Sequence, residues 1–220
     1  MSIGTVGVIG GTGPAGKGVA FRLAMTGLDV VIGSRELSRA ESTCSEVDRG
    51  YSWRSNLSGG TNEDAARCGL VVLATPWEGL ASTVEPLSEI LSGKVVVTMA
   101  NALVRVGKEF QPVLLAKGSV AALVASLLPN SQVVSAFQHV PARELLEVDS
   151  VLHADVIICG DDPGSKLNVR EIFDRIEGVR LLDGGSLALS GAIEAMTAVL
   201  LNLNLRYKTR TSIRVSGIEA

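Results

Sequence analysis

The chain has 220 residues, 46% hydrophobic and 20% charged, with 20 Lys plus Arg against 23 Asp plus Glu and a formal net charge of −3. That apolar content offsets the entropy of ordering and excludes a disordered chain, while the lack of a basic excess argues against a general nucleic-acid binder. Mean hydropathy is high, at +0.33. Yet no continuous apolar run approaches the ~18 residues that span a bilayer, so no membrane segment is expected and the apolar character reads as short strands buried on both faces.

Residues 5–10 (TVGVIG) are β-branched, apolar and end in glycine, the pattern of a buried strand. Val19, Ala20, Leu23 and Ala24 then recur at helical spacing over residues 17–26, and Gly27 stands just beyond as the stop. Residues 29–33 (DVVIG) are a second buried strand, after which Ser34-Arg35-Glu36 opens a polar amphipathic helix to about Asp48. A weak strand is expected at 52–57, a strong one at 70–75 (LVVLAT), a helix at 80–91, a fifth strand at 94–98 (KVVVT), and a helix at 119–128 that stops before Pro129. Residues 132–137 and 154–159 read as strands, 165–176 as a helix and 179–182 as extended chain. The last segment, 187–207, is a long and largely apolar helix carrying Leu187, Ile193, Met196, Val199, Leu200 and Leu203.

Repeated β–α units with buried strands predict an α/β fold: a Rossmann-like, doubly wound, mainly parallel sheet with right-handed crossovers and a C-terminal helical extension. Three widely spaced cysteines (Cys44, Cys68, Cys159) form no C-x-x-C pair, and neither a signal peptide nor an H-x-x-x-H metal pattern is visible. A cytoplasmic protein with reduced thiols and no metal is expected.

The segment after the first strand carries G-x-G-x-x-G at Gly11, Gly13 and Gly16. The pattern is weak alone, but here it follows a strand and opens a helix. Gly11 suits the tight turn, Gly13 lets a pyrophosphate approach the backbone, and Gly16 lets helix and strand pack closely. Pro14 fits the first helical turn, Ala15 follows it, and the helix N-terminus offers free N–H groups to phosphate. The second strand ends without the acid that would hold a ribose 2′-hydroxyl. Ser34, Arg35 and Arg39 stand there instead, with Thr12 in the glycine loop, so the pattern selects NADP(H) over NAD(H). Thr75, Pro76 and Trp77, at the end of the fourth strand, and Ala100 and Asn101, after the fifth, fall on the same crevice edge. Asn101 is placed to bond the nicotinamide ribose.

The motifs GGTGPAGKG (10–18), VVIGSR (30–35), NEDAA (62–66), ATPWE (74–78), VVSAFQHVPA (133–142), CGDD (159–162), LNLNLRYKTR (201–210) and GI (217–218), in this order, resemble the NADPH:F420 oxidoreductases, also called F420-dependent NADP reductases. The resemblance implies hydride transfer between NADP(H) and coenzyme F420, an 8-hydroxy-5-deazaflavin, by a cytoplasmic homodimer without metal. It also implies that Thr12, Ser34, Arg35 and Arg39 bind the 2′-phosphate. Some members carry His where this chain has Gln138, one position before His139. A related arrangement occurs in the cytosolic domain of membrane ferric reductases.

Such chemistry needs an apolar slot that stacks two rings rather than a triad or a metal. Val140 and Pro141, with Met196 to Leu203 of the last helix, are expected to form its wall, Met196 and its neighbours reading alternatively as core or dimer interface. The backbone N–H groups of Phe137, Gln138, His139 and Val140 are expected to meet the ring carbonyls. His139 or solvent would handle the ring-nitrogen proton. Arg206, Lys208, Arg210 and Arg214 would either steer the anionic tail of the deazaflavin coenzyme or serve a helix end. The expected organisation is an NADP-binding domain at 1–185 and an extension at 186–220 that completes the slot and a dimer contact. Two other readings are an NADPH-dependent reductase of a flavin, ferric chelate or imine, and a non-catalytic NADPH sensor.

Overall fold

The computed structural model describes residues 4–47 and 51–218. Eight strands form one sheet: β1 (Thr5–Ile9), β2 (Asp29–Ser34), β3 (Leu57–Thr61), β4 (Leu70–Leu73), β5 (Val95–Thr98), β8 (Gln132–Ser135), β9 (Ala154–Gly160) and β10 (Val179–Asp183). Between β5 and β8 the chain makes a separate hairpin, β6 (Leu103–Val106) and β7 (Glu109–Pro112). The helices are α1 (Pro14–Met25), α2 (Leu37–Ser45), α3 (Asn62–Ala66), α4 (Leu80–Val84), α5 (Ser88–Leu91), α6 (Val120–Leu127), α7 (Ala142–Leu146), α8 (Pro163–Phe173) and α9 (Ser190–Tyr207).

The sheet order is β10-β9-β8-β5-β4-β1-β2-β3. All neighbours are parallel except β8 and β9. Both faces are covered, which explains the near-continuous apolar strands. Val6, Val8, Val30, Ile32, Val72 and Val97 belong to a core that includes residues of α1 and α8. Ile9, Val71, Leu73 and Val96 belong to a second core with α4 and α6. Strand order reverses between β1 and β4, so a crevice opens at their carboxyl ends, as expected for a doubly wound sheet.

Several boundaries differ from the expectations. The weak strand expected at 52–57 is a 3-10 turn at Ser52–Asn56, and the strand is its successor β3. Trp53 packs on Phe21 at 5.6 Å between ring centroids, which fixes that turn. The strand itself, LSGGT, looks like a loop because α2 lies directly on it. A Cβ at Gly59 would stand 2.6 Å from the Glu41 nitrogen. The helix expected at 80–91 breaks into α4, a 3-10 turn at Glu85–Leu87 and α5, because Pro86 has no N–H to continue the ladder. The helix expected from 34 to 48 is the shorter α2. Ser34 closes β2, and Asp48 lies outside the described residues. The β6–β7 hairpin had no forecast.

The apolar stretch Leu187–Tyr207 proves long and apolar enough, by length and composition, to cross a membrane, against the expectation of no such segment. In this fold it packs beside α6 and β7 through specific polar contacts. Buried Glu194 accepts from the Val120 and Ala121 nitrogens at the start of α6, at 2.8 and 3.1 Å. The Asn202 amide accepts from the Phe110 nitrogen and donates to the Phe110 carbonyl, at 2.9 and 2.8 Å.

Candidate active site

The glycine loop is stapled to the ends of β1 and β2. The Gly11 nitrogen donates to the carbonyls of Val8 and Gly33, at 3.1 and 3.0 Å. A Cβ at Gly16 would meet the Ala74 Cβ at 2.8 Å and the Gly10 oxygen at 2.9 Å, so the helix can lie this close only with glycine there. Helix α1 begins at Pro14 with Gly13 as its cap, with no side chain bonded to that cap and no acid in the first turn. The Ala15 and Gly16 N–H groups therefore have no acceptor within the helix, and its positive end faces the crevice unneutralised.

A cleft of about 540 Å³ runs over this loop. Thr12, Gly13, Ser34, Arg35 and Arg39 line it together. The Ser34 hydroxyl accepts from the Glu36 nitrogen at 3.2 Å, which leaves its own hydrogen to donate into the cleft. Arg35 and Arg39 are exposed and form no ion pair among the described residues. Asn62, Ser82, Thr83, Pro86 and Leu87 also line the cleft and were missed in the sequence. Asn62 had a usable signal. It opens α3 at the carboxyl end of β3, inside a capping box between Thr61 and Asp64, and its side-chain oxygen accepts from the Gly10 nitrogen at 3.4 Å. The others sit on α4 and the 3-10 turn after it, whose facing gives no such sign.

A second cleft of about 440 Å³ continues from the first, sharing Gly13, Ala74, Thr75 and Pro76 with it. It adds Pro14, Ala15, Trp77, Ala100 and Asn101. Thr75 Oγ1, Trp77 Nε1 and Asn101 Oδ1 are buried without a hydrogen-bond partner. Unpaired buried polar atoms are costly, and three on one cleft mark a surface built to meet a polar ligand.

Behind Asn101 lies the turn that follows β8. Phe137 takes a left-handed conformation (φ 65°), and its ring packs on Phe173 at 4.9 Å, in the core. The Gln138 carbonyl accepts from Asn101 Nδ2 at 2.8 Å and from the Thr197 hydroxyl of α9 at 3.1 Å. The Gln138 side chain is buried with both amide atoms unpaired. His139 Nε2 donates to the Asp155 carbonyl at 2.9 Å. A carbonyl can only accept, so that nitrogen carries the proton. Burial pushes the imidazole pKa down, so the ring is neutral and its buried Nδ1 is a bare, unpartnered acceptor. Val140 is buried, and Pro141, Met196 and Leu203 are partly so. None of these seven residues, from Phe137 to Leu203, lines either cleft; Gln138 alone is bonded to a residue of the second, through Asn101. Of the four basic residues near the C-terminus, Arg206 pairs with Glu109, Arg210 with Glu147 and Arg214 with Asp155. Only Lys208, at the left-handed cap of α9, has no carboxylate partner among the described residues.

A dinucleotide cleft at the reversal point of the sheet, with cations where NAD enzymes place an acid, defines a Rossmann-like oxidoreductase of the NADP type. Comparison with known proteins narrows the class. A family described as NADP oxidoreductase, coenzyme F420-dependent, matches residues 5–102. The F420-dependent NADP reductase of Methanocaldococcus jannaschii is 37% identical over 97% of this chain and 99% of its own. That of Methanothermobacter marburgensis is 31% identical over 97% and 98%. A solved structure from Arthrobacter sp. FB24, of a candidate F420-dependent NADP reductase, superposes with a TM-score of 0.81 at 20% identity, covering 97% of this chain and all of that one. It shares the fold. The chain belongs to the F420-dependent NADP reductase family.

Proposed function

We propose that this protein transfers hydride between NADP(H) and coenzyme F420. The observation that carries the reading is one continuous cleft. It joins an exposed cationic end at Arg35 and Arg39, beside Ser34, to an end where the polar atoms of Thr75, Trp77 and Asn101 are buried and unpaired. Full-length relatives with this activity support it.

The 2′-phosphate binds to Thr12, Ser34, Arg35 and Arg39, and the pyrophosphate to the free N–H groups of Ala15 and Gly16 at the start of α1. The nicotinamide end reaches Thr75, Pro76, Trp77, Ala100 and Asn101. The deazaflavin is taken up beyond Asn101, where Phe137 to Pro141 back the slot and Met196 and Leu203 of α9 stand beside it. When bound, the two cofactors supply the hydride-donating and hydride-accepting carbons. The chain holds the rings at contact distance. Neutral His139 has its one N–H bound to Asp155, so it offers Nδ1 as an acceptor, and the proton that joins the reduced ring nitrogen comes from solvent.

Residues 1–185 form the NADP-binding unit, and 186–220 complete the slot. Val104 and Val106 of the hairpin and Val199, Leu205 and Tyr207 of α9 are exposed. They suit a contact with a second copy in a cytoplasmic homodimer.

Anaerobic mixing with NADPH and oxidised F420, with NADH alongside, tests the reading. Rapid loss of deazaflavin absorbance with NADPH and little with NADH is expected. Tight NADPH binding without bleaching would overturn it in favour of another acceptor or a sensor.

A further inference from the structure

We infer that the C-terminal tail is a positioning strap for the acceptor end of the cleft, with Arg214 acting on the turn at residues 137–140 through Asp155 and His139. The inference rests on the proposed hydride transfer for its kinetic consequence, not for its geometry.

Strand β9 pairs with antiparallel β8 only near its far end, at Cys159 and Gly160. The first half of that edge is left open, and the tail fills it: the Asp155 nitrogen donates to the Ile213 carbonyl at 2.8 Å. The fully buried Asp155 carboxylate then gathers four donors. Arg180 approaches through Nε and Nη2, at 2.7 and 2.5 Å, Arg214 through Nη1 at 2.8 Å, and the Val215 nitrogen at 2.6 Å. Arg214 also donates to the Gly178 carbonyl at 2.9 Å. Burying a carboxylate is expensive, and a pair of guanidinium groups on it is weak evidence for stability alone. What the cluster does hold is the backbone of Asp155, and that carbonyl is the acceptor for His139.

From His139 the bonds run on without a gap. His139 sits in the turn next to Gln138, whose carbonyl is held by Asn101 and Thr197. Asn101 lines the cleft. Phe137 cannot relax this turn cheaply, because it is left-handed and its ring is anchored on Phe173. A shift of Asp155 is therefore passed to Asn101 and the Gln138 amide rather than absorbed. The 2′-phosphate end of the cleft, at Thr12, Ser34, Arg35 and Arg39, shares none of these bonds. Removing Arg214 still leaves Arg180 on the carboxylate, so the charge is not stranded and the chain keeps its fold.

The test is Arg214→Met, with Arg214→Lys as the partial rescue and the milder variant should the first fail to fold. NADPH affinity is read by binding and F420 reduction by anaerobic stopped flow. Histidine tautomers are read by 15N NMR, on a chain with only two histidines to assign. The expected result is about a tenfold fall in kcat for F420, since misplacement of about 1 Å can cost on the order of 100-fold. NADPH Kd should stay within about twofold, and the His139 signals should lose the pure Nε2–H pattern. Lysine should recover part of both. Unchanged kcat with an unchanged His139 spectrum overturns the inference. So does a loss of NADPH affinity in step with kcat, which would mark a general structural defect. A wild-type protein that does not reduce F420 at all refutes the proposed function instead, and the His139 spectrum still decides the strap.

Discussion

At the nucleotide end of the cleft, Thr12 comes from the loop after β1, Ser34 from the end of β2 and Arg35 and Arg39 from the chain that follows, and the two arginines are exposed and form no ion pair among the described residues. At the acceptor end, Asn101, Gln138 and His139 are held by backbone carbonyls and by residues far away in the chain, such as Thr197 and Asp155. The first end recognises a strongly charged group and can be altered one residue at a time. The second works by placement, so a change there moves several groups together.

The largest expected effect breaks the first end alone. Arg35→Ala with Arg39→Ala should raise the NADPH KM about 100-fold and leave kcat and the NADH KM nearly unchanged, since charge-assisted hydrogen bonds contribute about 1.5–3 kcal/mol each. Arg35→Ala alone should give about tenfold. Steady-state kinetics with both nucleotides checks this. Next, Gln138→Leu should lower kcat/KM for F420 about tenfold without changing NADPH Kd. Because both amide atoms are unpaired in the free protein, the apolar replacement should raise Tm, which calorimetry reads.

Two buried carboxylates sharpen the comparison through pH. Arg180 and Arg214 hold the Asp155 carboxyl well below the usual range. Its contribution to stability is therefore present above the ordinary pKa of about 3.9 and is lost as pH falls below it. Burial pushes Glu194 up, with only the α6 nitrogens opposing. The folded state then binds its proton more tightly than the unfolded one, so stability falls as pH rises from about 4.3 toward the raised value. Urea titrations from acid to neutral pH should show Glu194→Gln flattening that decline while the acid limb below it persists. The smallest effect is expected at Arg206. It pairs with Glu109 on the surface, and Arg206→Ala should cost less than about 0.5 kcal/mol. F420 KM should not change, since the pairing leaves little free charge for steering.

The sequence makes the nucleotide end legible because its parts are local. Gly11 to Gly16 and Ser34 to Arg39 each form one short run next to a strand whose apolar pattern is plain. Strand–helix alternation is legible for the same reason. The acceptor end is assembled from contacts between distant positions, and no short pattern announces that His139 meets Asp155 or that Thr197 meets Gln138. Edge elements are also hard to read. β3 hides behind glycines that let α2 approach, and the exposed β6–β7 hairpin lacks a buried face. The basic C-terminal residues read as a patch in the sequence, yet three of them close ion pairs with Glu109, Glu147 and Asp155.

The most direct test of the division between the two ends is a double-mutant cycle of Arg35→Ala and Gln138→Leu, with NADPH KM and F420 kcat/KM measured in all four proteins. Independent ends predict additive effects within about 0.5 kcal/mol, with Arg35→Ala acting on NADPH alone and Gln138→Leu on F420 alone. Cross effects of tenfold, or strong coupling between the two substitutions, would contradict the account.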